Sequence, residues 1–170
     1  MFWLKSGLFA VGLGMSFVYA IIPPLARDLG LSEIQASFIF SLSAVAWAMT
    51  SAPWGRASDK YGRRNIAILG YIGYSISMII LILPIYLADK NILSAAFVFP
   101  LLILGRTIYG LLGSATRPAS FAYIADITPK SKRTKKFARF ESNFLLGTLV
   151  GPLLGCLLYT SDAADEPRCV

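Results

Sequence analysis

The residues best equipped for chemistry in this sequence are charges set inside, or between, long apolar runs. Gly55-Arg56-Ala57-Ser58-Asp59-Lys60-Tyr61-Gly62-Arg63-Arg64 places one carboxylate among four cations on a short connection. Asp59 there can make charge-assisted bonds that differ between two arrangements of the surrounding chain, which is the chemistry of a conformational latch. Gly55 and Gly62 permit a tight turn and close helix approach. The plain alternative is a basic loop with a chance Asp. A second cluster spans residues 105–126 and carries Arg106 deep in an apolar run, where a charged side chain costs about 2.5–3.5 kcal/mol and usually faces a cavity or partner. Arg106, Gly110, Gly113 and Arg117 recur at spacings of four, three and four. That pattern puts them on one helix face, with the two guanidinium groups about 16 Å apart along the axis. Snorkelling is the alternative for both arginines, and weighs more for Arg117 than for Arg106. In the third cluster Gly147, Gly151 and Gly155 repeat every four residues, a small-residue face that lets another helix approach. Pro152 removes one backbone donor and displaces the carbonyl of Thr148, so a kink is expected.

The elements that must position these groups read as membrane helices. The chain has 170 residues, of which 56% are hydrophobic and only 15% charged, with a mean hydropathy of +0.64. A soluble domain carries about 25% charged residues. The apolar residues gather at 8–25, 34–54, 66–87, 95–124 and 140–159. All but the fourth are about 27–33 Å long as helices, matching a hydrocarbon core of about 30 Å. The fourth is longer, so it either tilts or extends beyond the bilayer. Inside lipid these segments must be helical, because no water is available to satisfy the backbone. The expected fold is therefore all-α and integral to the membrane, with five spans.

Charge sets the orientation. The connection after the second segment holds Arg56, Lys60, Arg63 and Arg64, and that after the fourth holds Lys130, Lys132, Arg133, Lys135, Lys136 and Arg139. The other two offer Arg27, offset by Asp28 and Glu33, and Lys90 beside Asp89. Retention of Lys and Arg on the cytoplasmic side places the N-terminus in the cytoplasm. The net charge of +7 is thus a property of loops and not a basic stripe for nucleic acid. With no histidine, no nucleophile–base pair, and Cys156 and Cys169 lacking metal-like spacing, neither an enzyme nor a metal site is expected. The lipid bilayer and a small-molecule substrate are the expected partners.

The run 55–64 resembles the signature loop of the major facilitator superfamily: a glycine, an acidic residue four positions on, a basic residue, then Gly-Arg-Arg/Lys. Ala57 and Ser58 stand where the family more often has Leu and Ala. Residues 105–126 resemble the fourth span of the drug:proton antiporters, and within them the tetracycline-efflux type, with AYIADIT at 122–128. The resemblance implies a proton-coupling role for Arg106 and membership of the signature loop's charge network for Asp126. Gly147, Gly151, Pro152 and Gly155 resemble the antiporter motif of exporting members, with Cys156 where that motif ends in Gly. Leu13-Gly14 and Ile21-Ile22-Pro23 give a weaker likeness, with Ala20 in place of Pro. Tetracycline-type exporters carry acidic residues in spans one and three, and neither span has one here. Glu141, beside Arg139, reads as a boundary charge. Trp47, Tyr71 and Tyr109 could line a cavity for a lipophilic ligand, or simply pack between helices.

The resemblance implies residues 1–159 as an incomplete N-terminal half of a transporter built from two six-span halves, with the C-terminal half missing. No cofactor is implied; a proton gradient would supply the energy. A proton-coupled exporter of drug-like or other small amphipathic compounds is the leading expectation, with an uptake symporter or a non-transporting membrane scaffold as alternatives. Residues 160–170, TSDAADEPRCV, differ from all before them. Either they form a short flexible tail, or, as the likeness of LYTSDAADE to a translated sequencing-library adapter suggests, the chain from about Cys156 onward is not native.

Overall fold

The computed structural model describes residues 2–28, 32–90, 93 and 95–162, and their regular structure is helical throughout. Six α-helices run in order: α1 (Phe2–Asp28), α2 (Glu33–Tyr61), α3 (Arg63–Asp89), α4 (Ala95–Leu112), α5 (Thr116–Asp126) and α6 (Arg133–Asp162). Helix α2 opens on a capping box, the Ser32 hydroxyl accepting from the Gln35 N–H at 3.2 Å and the Gln35 side chain accepting from the Ser32 N–H at 2.9 Å. Two of the backbone donors left over at a helix start are satisfied that way.

Helices α4 and α5 are one span interrupted by a 3-10 turn at Gly113–Ala115. The cause is legible in the chain: Pro118 has no N–H to give the Ser114 carbonyl, and it is tolerated because it falls in the first turn of α5. Three residues wound at about 120° instead of about 100° rotate the rest of the span by about 60°. The single face expected from Arg106 through Arg117 therefore does not continue past Gly113.

Trp3–Pro24, Glu33–Tyr61, Arg63–Ala88 and Phe97–Asp126 are each long and apolar enough to cross a membrane. The fifth expected segment, 140–159, lies within α6, which stays helical through Pro152 but is not among the four helices that meet this test over the described residues. Helix α3 shows how these helices face lipid. Ile72, Ile76, Ile79, Leu83 and Tyr86 are exposed at spacings of four and three, whereas Tyr74, Ser77 and Leu81 on its other side are buried. Such an apolar stripe would be a liability in water and is ordinary against acyl chains.

The chain divides into two compact units, one holding α1 and α6 and the other α2–α5. Within the second, Ile66, Ala67, Ala115 and Ala119 form a buried cluster against which Trp54 and Ala57 pack. This joins the end of α2, the start of α3 and the start of α5.

One expectation needs correcting. The stretch 55–64 is not a loop: α2 continues through Tyr61, α3 begins at Arg63, and Gly62 alone turns the chain. Its φ of 93° lies in the region that favours glycine. Gly55 sits inside α2 and makes no part of the turn. The expected foreign tail falls mostly at 163–170, outside the described residues, as do the side chains from position 155 onward.

Candidate functional site

Turning on a single glycine keeps the charges of residues 55–64 on helix ends, where their directions are set by the helices. Arg63, the first residue of α3, is the hub. Its guanidinium lies 2.9 Å from the Asp59 carboxylate on the last turns of α2, and its Nε pairs with the Asp126 carboxylate at the end of α5. Three helix ends are thus tied through one side chain. All three side chains are partly exposed, 30% for Arg63 and more than half for the two aspartates, so each pair contributes no more than about 1 kcal/mol to stability. Of the other cations, Lys60 lies over the Tyr61 ring at 5.4 Å and Arg64 is exposed. Arg133 donates to the Thr128 carbonyl at 3.2 Å, closing the end of α5. Beneath the network Ser58 is fully buried and donates to the Gly55 carbonyl at 2.7 Å.

Arg106 occupies a different kind of site. It is 1% exposed, in the middle of α4. Its guanidinium carbon lies 5.0 Å from the centre of the Phe40 ring and 5.2 Å from that of Tyr109. Tyr109 is in turn stacked on Trp47, with centroids 5.4 Å apart, and meets Tyr74 edge-on at 5.9 Å. Cation–π contacts are worth about 2 kcal/mol or more each when desolvated. Two of them are therefore of the size needed to offset the roughly 2.5–3.5 kcal/mol of placing an arginine at mid-span. Of the three aromatic residues singled out in the sequence, Trp47 and Tyr109 belong to this enclosure. Tyr71, half-buried, lies on α3 one turn from Tyr74. Arg117 is half-buried on α5.

Gly110, one turn past Arg106, is where α4 touches α2. A Cβ there would stand 2.6 Å from the Ser43 carbonyl oxygen and 2.7 Å from the Ala46 Cβ, nearer than real side chains come. Where α4 runs into the 3-10 turn, α2 supplies side chains to its backbone carbonyls. The Thr50 hydroxyl lies 3.0 Å from the Gly110 carbonyl and 2.8 Å from the Ser114 hydroxyl, and the Trp54 indole donates to the Leu111 carbonyl at 2.6 Å.

In the other unit the glycine repeat of α6 meets α1. A Cβ at Gly147 would fall 2.7 Å from the Leu13 amide, and one at Gly151 2.7 Å from the Leu13 carbonyl oxygen. On α1 the complementary position is Gly12, packed on the Phe144 backbone. The single proton of the Ser16 hydroxyl has the Gly12 and Leu13 carbonyls of its own helix within reach at 3.0 and 3.1 Å, and the Gly147 carbonyl at 3.5 Å. Pro152 is exposed, and the packing of Gly155 lies outside the described residues. Glu141 is half-buried near the start of α6.

Sequence reasoning missed Phe40 and Tyr74 around Arg106, the Thr50 and Trp54 clamp on α4, and Gly12. Pro118, not singled out in the sequence, was the available signal for a break that the clamp could serve. Nothing local marks which of eleven phenylalanines faces an arginine.

Apolar helices long enough to span a membrane, a charge network at helix ends and a buried arginine define a polytopic integral membrane protein. Residues 6–162 match the Major Facilitator Superfamily, and the chain belongs to that family. It is 34% identical over 146 residues to the tetracycline resistance protein, class B, of Escherichia coli, covering 84% of this chain and 33% of that protein. It is 26% identical over 154 residues to the quinolone resistance protein NorA of Staphylococcus aureus, covering 91% and 37%. An uncharacterised MFS-type transporter of Methanocaldococcus jannaschii is 27% identical over 156 residues, covering 92% and 37%. The chain spans about a third of the length of the curated relatives it matches.

Proposed function

We propose that these residues are the N-terminal part of a proton-coupled exporter of drug-like or other small amphipathic compounds. The observation that carries the export direction is the seating of Gly147 and Gly151 of α6 on the backbone of α1. Those residues belong to the run that resembles the antiporter motif of exporting members. The names of two relatives, resistance proteins for tetracycline and a quinolone, support export of drug-like molecules.

In the mechanism supported by this geometry, substrate binds near the midplane between two six-span halves that rock about it. The Asp59–Arg63–Asp126 network is the latch, made in one arrangement and broken in the other. Arg106 couples the motion to protons. The chain would sit in a bacterial inner membrane with the N-terminus and the charge network on the cytoplasmic side, because the basic connections cluster there.

The test is uptake into inside-out vesicles carrying the complete coding sequence, under an imposed pH gradient. Accumulation driven by the gradient and abolished by Arg106→Ala and Asp59→Asn is the expected result. Transport indifferent to the gradient would overturn proton coupling, and uptake only in right-side-out vesicles would overturn export.

A further inference from the structure

We propose that Tyr109 is a positioning residue whose ring, together with Phe40, holds the Arg106 guanidinium in place by cation–π attraction. Arg106 and Tyr109 lie three residues apart on α4, so their side chains leave the same side of the helix. The guanidinium carbon is 5.2 Å from the Tyr109 centroid and 5.0 Å from that of Phe40, both within the roughly 6 Å over which a ring face attracts a cation.

What distinguishes Tyr109 from an ordinary core aromatic is that its own orientation is fixed from two further helices. Trp47 of α2 stacks on it with an interplanar angle of 29°, and Tyr74 of α3 meets it at 71°. Tyr109 is 6% and Tyr74 8% exposed. Offset-stacked and edge-on pairs are the favoured geometries of aromatic rings, and a ring gripped in both ways has little freedom to turn. The position of the arginine is then set by α2, α3 and α4 jointly. A relative movement of α2 against α4 would shift Trp47 and Phe40 together and carry the guanidinium with them. The carboxylates of these helices, Glu33, Asp59 and Asp89, sit at helix ends. This inference rests on the proposed transport role of Arg106 only for its transport readout.

Ring electronics can be varied without changing shape. In the full-length protein, Tyr109 is replaced by Phe, by Leu, and by trifluorinated phenylalanine, which keeps the ring and weakens its quadrupole. Each is also made in the Arg106→Ala background, and thermal stability in detergent and vesicle transport are both measured. Tyr109→Phe should keep transport within about twofold, while the trifluorinated ring and Tyr109→Leu should lower it about tenfold, a loss of about 1.4 kcal/mol. In stability the trifluorinated ring should melt below Tyr109→Phe when Arg106 is present and equal it in the Arg106→Ala background. A trifluorinated ring indistinguishable from Phe in stability would overturn the proposal, because the ring would then act by volume alone. If no transport is seen in any variant while the stability difference appears, the holding of Arg106 stands and the functional reading fails.

Discussion

Replacing Gly110 by Ala adds one methyl group where α2 and α4 meet backbone to backbone. The new Cβ would lie 2.6 Å from the Ser43 carbonyl oxygen, and ordinary contact begins at 3.4 Å, so the helices must part by about 0.8 Å. A hydrogen bond of 3.0 Å from Thr50 to the Gly110 carbonyl would stretch beyond useful range by such a movement. Overpacking costs about 1–3 kcal/mol and the lost hydrogen bond about 0.5–1.5 kcal/mol. The better helix propensity of alanine returns about 1 kcal/mol, leaving a net destabilisation of about 0.5–3.5 kcal/mol. At about 2–4 °C per kcal/mol, the melting temperature of the purified protein in detergent should fall by several degrees. Two further glycines calibrate the effect. At Gly105 the nearest atoms to a Cβ would be 3.3 Å away, and at Gly55 the nearest is Pro118 Cβ at 4.0 Å. Gly105→Ala should therefore cost little, and Gly55→Ala should be neutral or slightly stabilising. A Gly110→Ala protein as stable as the parent, or the reverse ranking of the three, would refute the close approach of α2 and α4.

Two other substitutions probe the same helices. Thr50→Val keeps the volume but removes the hydroxyl that meets Gly110 and Ser114; it should destabilise by about 0.5–1.5 kcal/mol, with Thr50→Ser largely restoring the parent's melting temperature. Gly62→Ala forces a side chain into a φ of 93° and should cost roughly 1–2 kcal/mol in the same assay, with no such loss expected at the helical Gly55.

The helical spans were legible because lipid leaves the backbone few choices. An apolar run of about 20 residues must satisfy its own hydrogen bonds, and helix is the local way to do so. The extent of α2 was less legible. A charged, glycine-containing stretch reads as a loop, yet residues 55–61 continue the helix. Trp54 and Ala57 are packed on α3 and α5, and that tertiary contact overrides the weak local preference. The 3-10 turn could have been anticipated from Pro118, but its consequence for the face shared by Arg106 and Arg117 could not. That rotation depends on where the break falls.

By itself the sequence determined the class of element, four of the five segments long and apolar enough to cross a membrane, the charges between them and the motifs that resemble a transporter family. Each of these is a property of composition or of spacing along the chain. Only the tertiary structure decided that Arg63, among the cations of its stretch, links Asp59 to Asp126. It alone placed Phe40 and Tyr109 around Arg106 and seated the glycines of α6 on α1. The physical reason is common to all three. Which side chains meet depends on how far each helix is rotated and how closely it approaches its neighbour, and both are fixed by packing between segments far apart in the chain.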